Sequence, residues 1–141
     1  MAPDQQPTRA DGSTSEAARE RVTSQLMQVS SAMTLIYKEQ FGRGPERVRS
    51  FYAGPDSLVC FLENTLTPVE RTLATIGEQQ RLRDMRMLFQ YAAEDDFRGA
   101  IEQITGRKVI AFVSGIDVRA DVASELFTLE PRSLDGEPER A

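Results

Sequence analysis

From Ser15 to Phe41 the apolar residues Val22, Leu26, Val29, Met33, Ile36 with Tyr37, and Phe41 recur every three to five positions, and the pattern ends at Gly42-Arg43-Gly44-Pro45. That spacing lines one side of a helix. Two glycines able to take positive φ, followed by a proline, forbid its continuation. A stripe of about three heptads is short for a coiled-coil seam. The expectation is therefore one long helix laid on a sheet.

The strands for that sheet are readable on either side of a helical middle. Arg47 to Ala53 and Ser57 to Leu62 are rich in β-branched and aromatic residues and flank Gly54-Pro55-Asp56, the composition of a hairpin turn. Lys108 to Ile116 and Val122 to Leu129 repeat the composition and predict a second hairpin. Between them, Thr67-Pro68-Val69-Glu70 combines an N-cap threonine, a proline at the first helical position and a glutamate at N3. This predicts a short helix to about Ile76, stopped by Gly77. A longer helix follows from Gln79 to Gly106, with Leu82, Met85, Phe89, Ala92, Ala93, Phe97, Ile101 and Ile104 on its inner face and a bend at Gly99.

The predicted order is αββααββ. Four mainly antiparallel strands with helices on one face make a two-layer α+β sandwich. The two halves align loosely: Gly42-Arg43, Val48, Phe51, Gly54 and Pro68 against Gly106-Arg107, Val109, Phe112, Gly115 and Pro131. An internal αββ duplication would produce this, and so would the commonness of Gly-terminated helices before strands. Residues 15–131 are read as one domain between polar, aperiodic tails at 1–14 and 132–141.

Composition narrows the function. The chain has no histidine and one cysteine, Cys60, so His-dependent triads, His-containing zinc sites and thiolate clusters are excluded, and no intrachain disulfide can form. Set between Val59 and Phe61, Cys60 reads as a buried structural residue. The net charge of -5 disfavours nucleic acid and anionic lipid as general partners. No apolar run approaches the ~20 residues of a membrane span, and no signal-peptide pattern opens the chain. The expectation is a cytoplasmic protein with no cofactor, no metal and no catalytic residue.

Fifteen of the seventeen basic residues are arginines. Gly42, Arg43, Gly44 and Pro45 could present amides beside a guanidinium as an anion nest, although the same residues serve as a helix cap and turn. Arg83 and Arg86 stand three apart on the long helix, where with Arg43 and Arg47 they are the candidate binders of a small anion or an acidic partner surface. Thr67, Pro68 and Glu70 are read as helix-capping. Glu94-Asp95-Asp96 is read as a solvated acidic run, because adjacent helical carboxylates diverge. Unpaired sheet edges also admit a homodimer.

The order of the Gly42-Arg43-Gly44-Pro45 turn, Leu66-Thr67-Pro68-Val69-Glu70-Arg71, Arg86 with Leu88-Phe89, Ile101-Glu102, Thr105-Gly106-Arg107-Lys108-Val109 and the Phe127-Thr128-Leu129 ending resembles the MpsC-like family. These are small soluble bacterial proteins named for a sodium-translocating, membrane-potential-generating system. The resemblance spans about Val22 to Leu129. Arg43 stands where the family pattern usually has lysine, which keeps the charge and changes the donor geometry. The resemblance implies a non-catalytic accessory or regulatory protein that docks on an integral membrane transport subunit. It transfers no catalytic residue.

Overall fold

A computed structural model describes residues 10–132, with side chains from Ser15 onward. The elements are α1 (Ala10–Phe41), β1 (Arg47–Tyr52), β2 (Ser57–Glu63), α2 (Pro68–Thr75), α3 (Gln79–Ala92), α4 (Glu94–Thr105), β3 (Val109–Asp117) and β4 (Val122–Leu129). The strands form one antiparallel sheet in the order β1-β2-β4-β3. Each hairpin is intact, and the two meet through their return strands at the centre. The fold is the expected α+β sandwich.

The helices lie against one face of this sheet. Val29, Met33 and Tyr37 from α1 and Phe97 and Ile101 from α4 pack on Leu58, Leu62, Phe112, Phe127 and Leu129. The α1 stripe is used from Leu26 onward, while Val22 stays exposed. Gly42, at φ 83°, closes α1 with its amide on the Lys38 carbonyl. Gly44 passes so close to α1 that an added Cβ would meet Thr34 Cγ2 at 3.2 Å, which explains a glycine there.

Three expectations need correction. Helix α1 begins at Ala10, so the tail expected over 1–14 is helical from residue 10; residues 1–9 and 133–141 lie outside the described part. The long helix is two, broken at Ala93 (φ -93°, ψ 11°) and not bent at Gly99. Redirection at a buried Ala93 lets α4 drive Phe97 and Ile101 into the core, with Glu94, Asp95 and Asp96 in its first turn, where carboxylates favour the helix N-terminus. Third, the inner face of α3 carries Leu82, Arg86 and Gln90, whereas Met85 and Phe89 face outward and are exposed. An apolar-periodicity reading selects the wrong stripe when the inner face is polar.

Candidate functional site

The Asn64-Thr65-Leu66 linker leaves β2 for α2 with three backbone carbonyls to satisfy, and all three accept from guanidiniums. Arg43 donates through Nη1 to the Leu66 carbonyl at 2.7 Å and through Nη2 to the Asn64 carbonyl at 3.0 Å. Arg86 donates through Nη2 to the Thr65 carbonyl at 2.9 Å. The Asp121 carboxylate, at the start of β4, accepts from the amides of Thr65 (2.8 Å) and Leu66 (3.2 Å) and from the Thr65 hydroxyl (3.1 Å). Asn64 and Asp121 hold φ of 57° and 54°, a region their short polar side chains tolerate better than other non-glycine residues.

Helix α2 grows directly out of this clamp. Thr67 is its N-cap: the Glu70 amide donates to Thr67 Oγ1 at 3.3 Å, the Thr67 amide donates to Glu70 Oε1 at 2.9 Å, and Pro68 occupies the first turn. Glu70 is simultaneously the counter-ion of Arg86, whose Nε reaches Oε2 at 2.5 Å and whose Nη2 reaches Oε1 at 2.7 Å. Arg86 is fully buried and its guanidinium lies 3.6 Å from the Phe41 ring centroid. Burial works to raise the Glu70 carboxyl. The hydrogen bonds from Arg86 and Thr67 and the Arg86 charge outweigh it and hold Glu70 below its ordinary range.

The four candidate arginines thus part company. Arg43 and Arg86 converge, but on the chain's own carbonyls. Arg47 is exposed and faces Glu63 at 3.7 Å. Arg83 lies on the outside of α3 in an open groove of about 400 Å³ that it shares with Gln79, Asp117 and Arg119. Gly42 and Pro45 serve the α1 cap and the turn into β1.

A second polar site, which the sequence reading did not find, crosses the core. Ser50, Cys60, Glu125 and Ser114 are register partners across all four strands, on the helix-covered face. Glu125 is fully buried; its Oε1 accepts from the Tyr37 hydroxyl at 2.7 Å and from Gln90 Nε2 at 3.0 Å, and the same Nε2 lies 2.5 Å from Ser114 Oγ. Glu125 Oε2 and Gln90 Oε1 have no hydrogen-bond partner among the described residues. Burial pushes the Glu125 carboxyl up to about 7, against the polar side chains of Tyr37, Ser114 and Gln90 around it, which pull it down. Burial likewise pushes the Cys60 thiol up to about 12, which leaves it unreactive. The signal available in sequence was the phase of β4, where Glu125 alternates with Ala123, Phe127 and Leu129 on the buried side.

Surface grooves include one of about 1150 Å³ between α1 and α4 and one of about 600 Å³ at the clamp itself, lined in part by Asn64, Leu66, Arg71 and Asp121. Among the described residues no group of three or more His, Cys, Asp or Glu is placed to hold a metal, and no helix is long and apolar enough to cross a membrane. A family model described as Na+-translocating membrane potential-generating system (MpsC) matches residues 23–131. Comparison with curated proteins and with solved structures returns no match.

Proposed function

Because the chain belongs to the MpsC family, we propose that it is a non-catalytic cytoplasmic accessory or regulatory protein of a sodium-coupled, membrane-potential-generating system, docked on an integral subunit of that system. No helix among the described residues spans a bilayer, so any part in ion movement runs through a partner that does. The observation that carries the docking reading is the outer face of α3. Met85, Leu88 and Phe89, at helical steps of three and four, are 37%, 69% and 42% exposed. Val69 on the neighbouring α2 and Ile76 just past its end are also exposed. Arg81 and Arg83 flank this patch with charge, and the stretch is the one that the Leu88-Phe89 part of the family motif occupies.

The non-catalytic reading is supported by where the perturbed groups sit. Tyr37, Cys60 and Glu125 are buried within the helix–sheet interface, and Glu70 is committed to Arg86 and the Thr67 amide. The small-anion alternative loses support from the same geometry, since Arg43 Nη1 and Nη2 and Arg86 Nε and Nη2 are engaged by backbone carbonyls and Glu70, and Arg86 Nη1, which has no partner among the described residues, is buried away from the surface. The test is affinity capture from native membranes with the wild type and with Leu88→Glu. Recovery of an integral membrane subunit by the wild type and its loss with the folded variant is the expected result. Capture of no membrane subunit by a folded wild type would reject the proposal.

A further inference from the structure

An antiparallel sheet covered on one side is expected to turn polar residues to water on the other. Here the uncovered face carries a continuous apolar row. Phe51, Val59, Leu126 and Val113 are register partners across β1, β2, β4 and β3, and the two outer members are 45% and 53% exposed. The adjoining row, Arg49, Phe61, Ser124 and Gly115, adds a second phenylalanine, with the Arg49 guanidinium 5.9 Å and 5.7 Å from the Phe51 and Phe61 ring centroids. Ile110, beside the irregularity in β3, is 54% exposed.

We propose that this face is the interface of a homodimer in which two sheets stack, related by a two-fold axis parallel to the strands. The argument for a second copy is self-complementarity. Such an axis lays β1 of one copy over β3 of the other at the same height along the strands. Phe51 then meets Val113 of the second copy, and Val59 meets Leu126 of the second copy. The end row, Arg47, Glu63, Val122 and Asp117, has Arg47 beside Glu63 at the β1 margin and Asp117, whose Oδ1 accepts from the Arg119 and Ala120 amides, at the β3 margin, so by register the axis brings together two margins of opposite charge. Stacked sheets pack ~10 Å apart with interdigitating side chains, the spacing of an ordinary sandwich core.

Size sets the expected strength. Four strands at ~4.8 Å and seven residues at ~3.3 Å give a plan of roughly 450 Å² per copy, at the low end for specific association. Association is therefore expected to be weak and concentration-dependent. This surface lies on the opposite side of the sheet from α3, so a docked partner there and a second copy here do not compete. The inference stands apart from the proposed role, because it needs no partner to be tested.

Sedimentation velocity of the purified full chain from a few micromolar to several hundred micromolar is the primary experiment, with Val113→Arg as the disrupting variant and a thermal melt to establish that it folds. The decisive second measurement is a paired variant, Phe51→Cys with Val113→Cys. Within one copy these positions stand three strand spacings, ~14 Å, apart, too far for a disulfide, whereas the dimer brings each against the other copy's partner position. The expected results are a wild-type dimer, a monomeric Val113→Arg protein and a covalent dimer on mild oxidation of the paired variant. A wild type that stays monomeric throughout overturns the proposal. So does a dimer that survives Val113→Arg with no cross-link in the paired variant, which would assign association to the strand edges. If Val113→Arg instead abolishes capture of a membrane subunit by a protein that never dimerises, the face belongs to that partner.

Discussion

The two halves of the molecule use one device for different ends. In each, a helix closes on a left-handed glycine, Gly42 at φ 83° and Gly106 at φ 69°, whose amide returns to the carbonyl four residues back. In each, the arginine that follows reaches across the sheet end to the carbonyl just past the return strand. Arg43 binds the Asn64 carbonyl at 3.0 Å, and Arg107 binds the Glu130 carbonyl at 2.9 Å. The chain then diverges. After β4, Arg107 binds the Pro55 carbonyl and Asp56 Oδ1, tying the end of hairpin two to the turn of hairpin one. After β2, Arg43 shares the linker with Arg86 and Asp121, and the linker launches α2. The Gly-Arg pair is a strand-end clamp in both halves, and in the first half a buried ion pair accompanies it where α2 follows.

The change expected to break this comparison most severely is Arg86→Ala, which removes the element that hairpin two lacks. It leaves Glu70 buried without its counter-ion and the Thr65 carbonyl without its donor. Loss of about 3–5 kcal/mol in chemical denaturation is expected. Arg86→Lys keeps charge, forfeits the bidentate geometry and should recover only part of that.

A second contrast is at the centre line, where hairpin one supplies Cys60 and hairpin two supplies Glu125 as register partners. Glu125 titrates at about 7 in the fold against 4.5 as a free side chain. The folded state holds its proton more tightly, so this contribution is complete below pH 4.5 and is lost as pH rises through about 7, roughly 3 kcal/mol in all. Glu70, whose carboxyl is lowered, contributes in the opposite sense: its stabilisation is present above pH 4.5 and is lost as pH falls. Denaturation at a series of pH values should show stability declining from pH 5 to pH 8. Glu125→Gln should flatten that limb and leave the acid limb in place.

The two clamp arginines are predicted to differ. The Arg107 side chain is 9% exposed and pairs with a carboxylate at 2.5 Å, whereas that of Arg43 is 30% exposed and its nearest carboxylate, Glu46, is 3.8 Å away. Arg107→Ala should cost about 2–3 kcal/mol and Arg43→Ala about 1–2, from the ordinary worth of charged hydrogen bonds. Equal costs would argue that burial and ion pairing do not distinguish the two clamps. Smallest and matched are Gly42→Ala and Gly106→Ala. Neither would meet a clash, and the positive φ alone should cost about 1 kcal/mol at each.

The elements legible in sequence are those bounded by backbone punctuation: Gly42 and Pro45, Gly54-Pro55, the Thr67 to Glu70 cap, Gly106. Each acts locally, so neighbouring residues suffice to read it. The α3–α4 break carries no glycine or proline and is set by where Phe97 must pack. Arg86 and Glu125 were opaque for a related reason. Charged side chains are placed outward by default, and only the tertiary partners Glu70, Thr65, Tyr37 and Gln90 make their burial tolerable. Of the arginines singled out as candidate binders, Arg43 and Arg86 grip the chain itself.

The claim that these arginines clamp the Asn64–Leu66 linker, and are not free to hold a ligand, is tested most directly by thermal melting of the wild type and of Arg43→Ala across titrations of phosphate, bicarbonate and ATP. The account predicts a lower melting temperature for Arg43→Ala and no saturable anion-dependent rise for either protein. A saturable rise in the wild type that Arg43→Ala abolishes would contradict it.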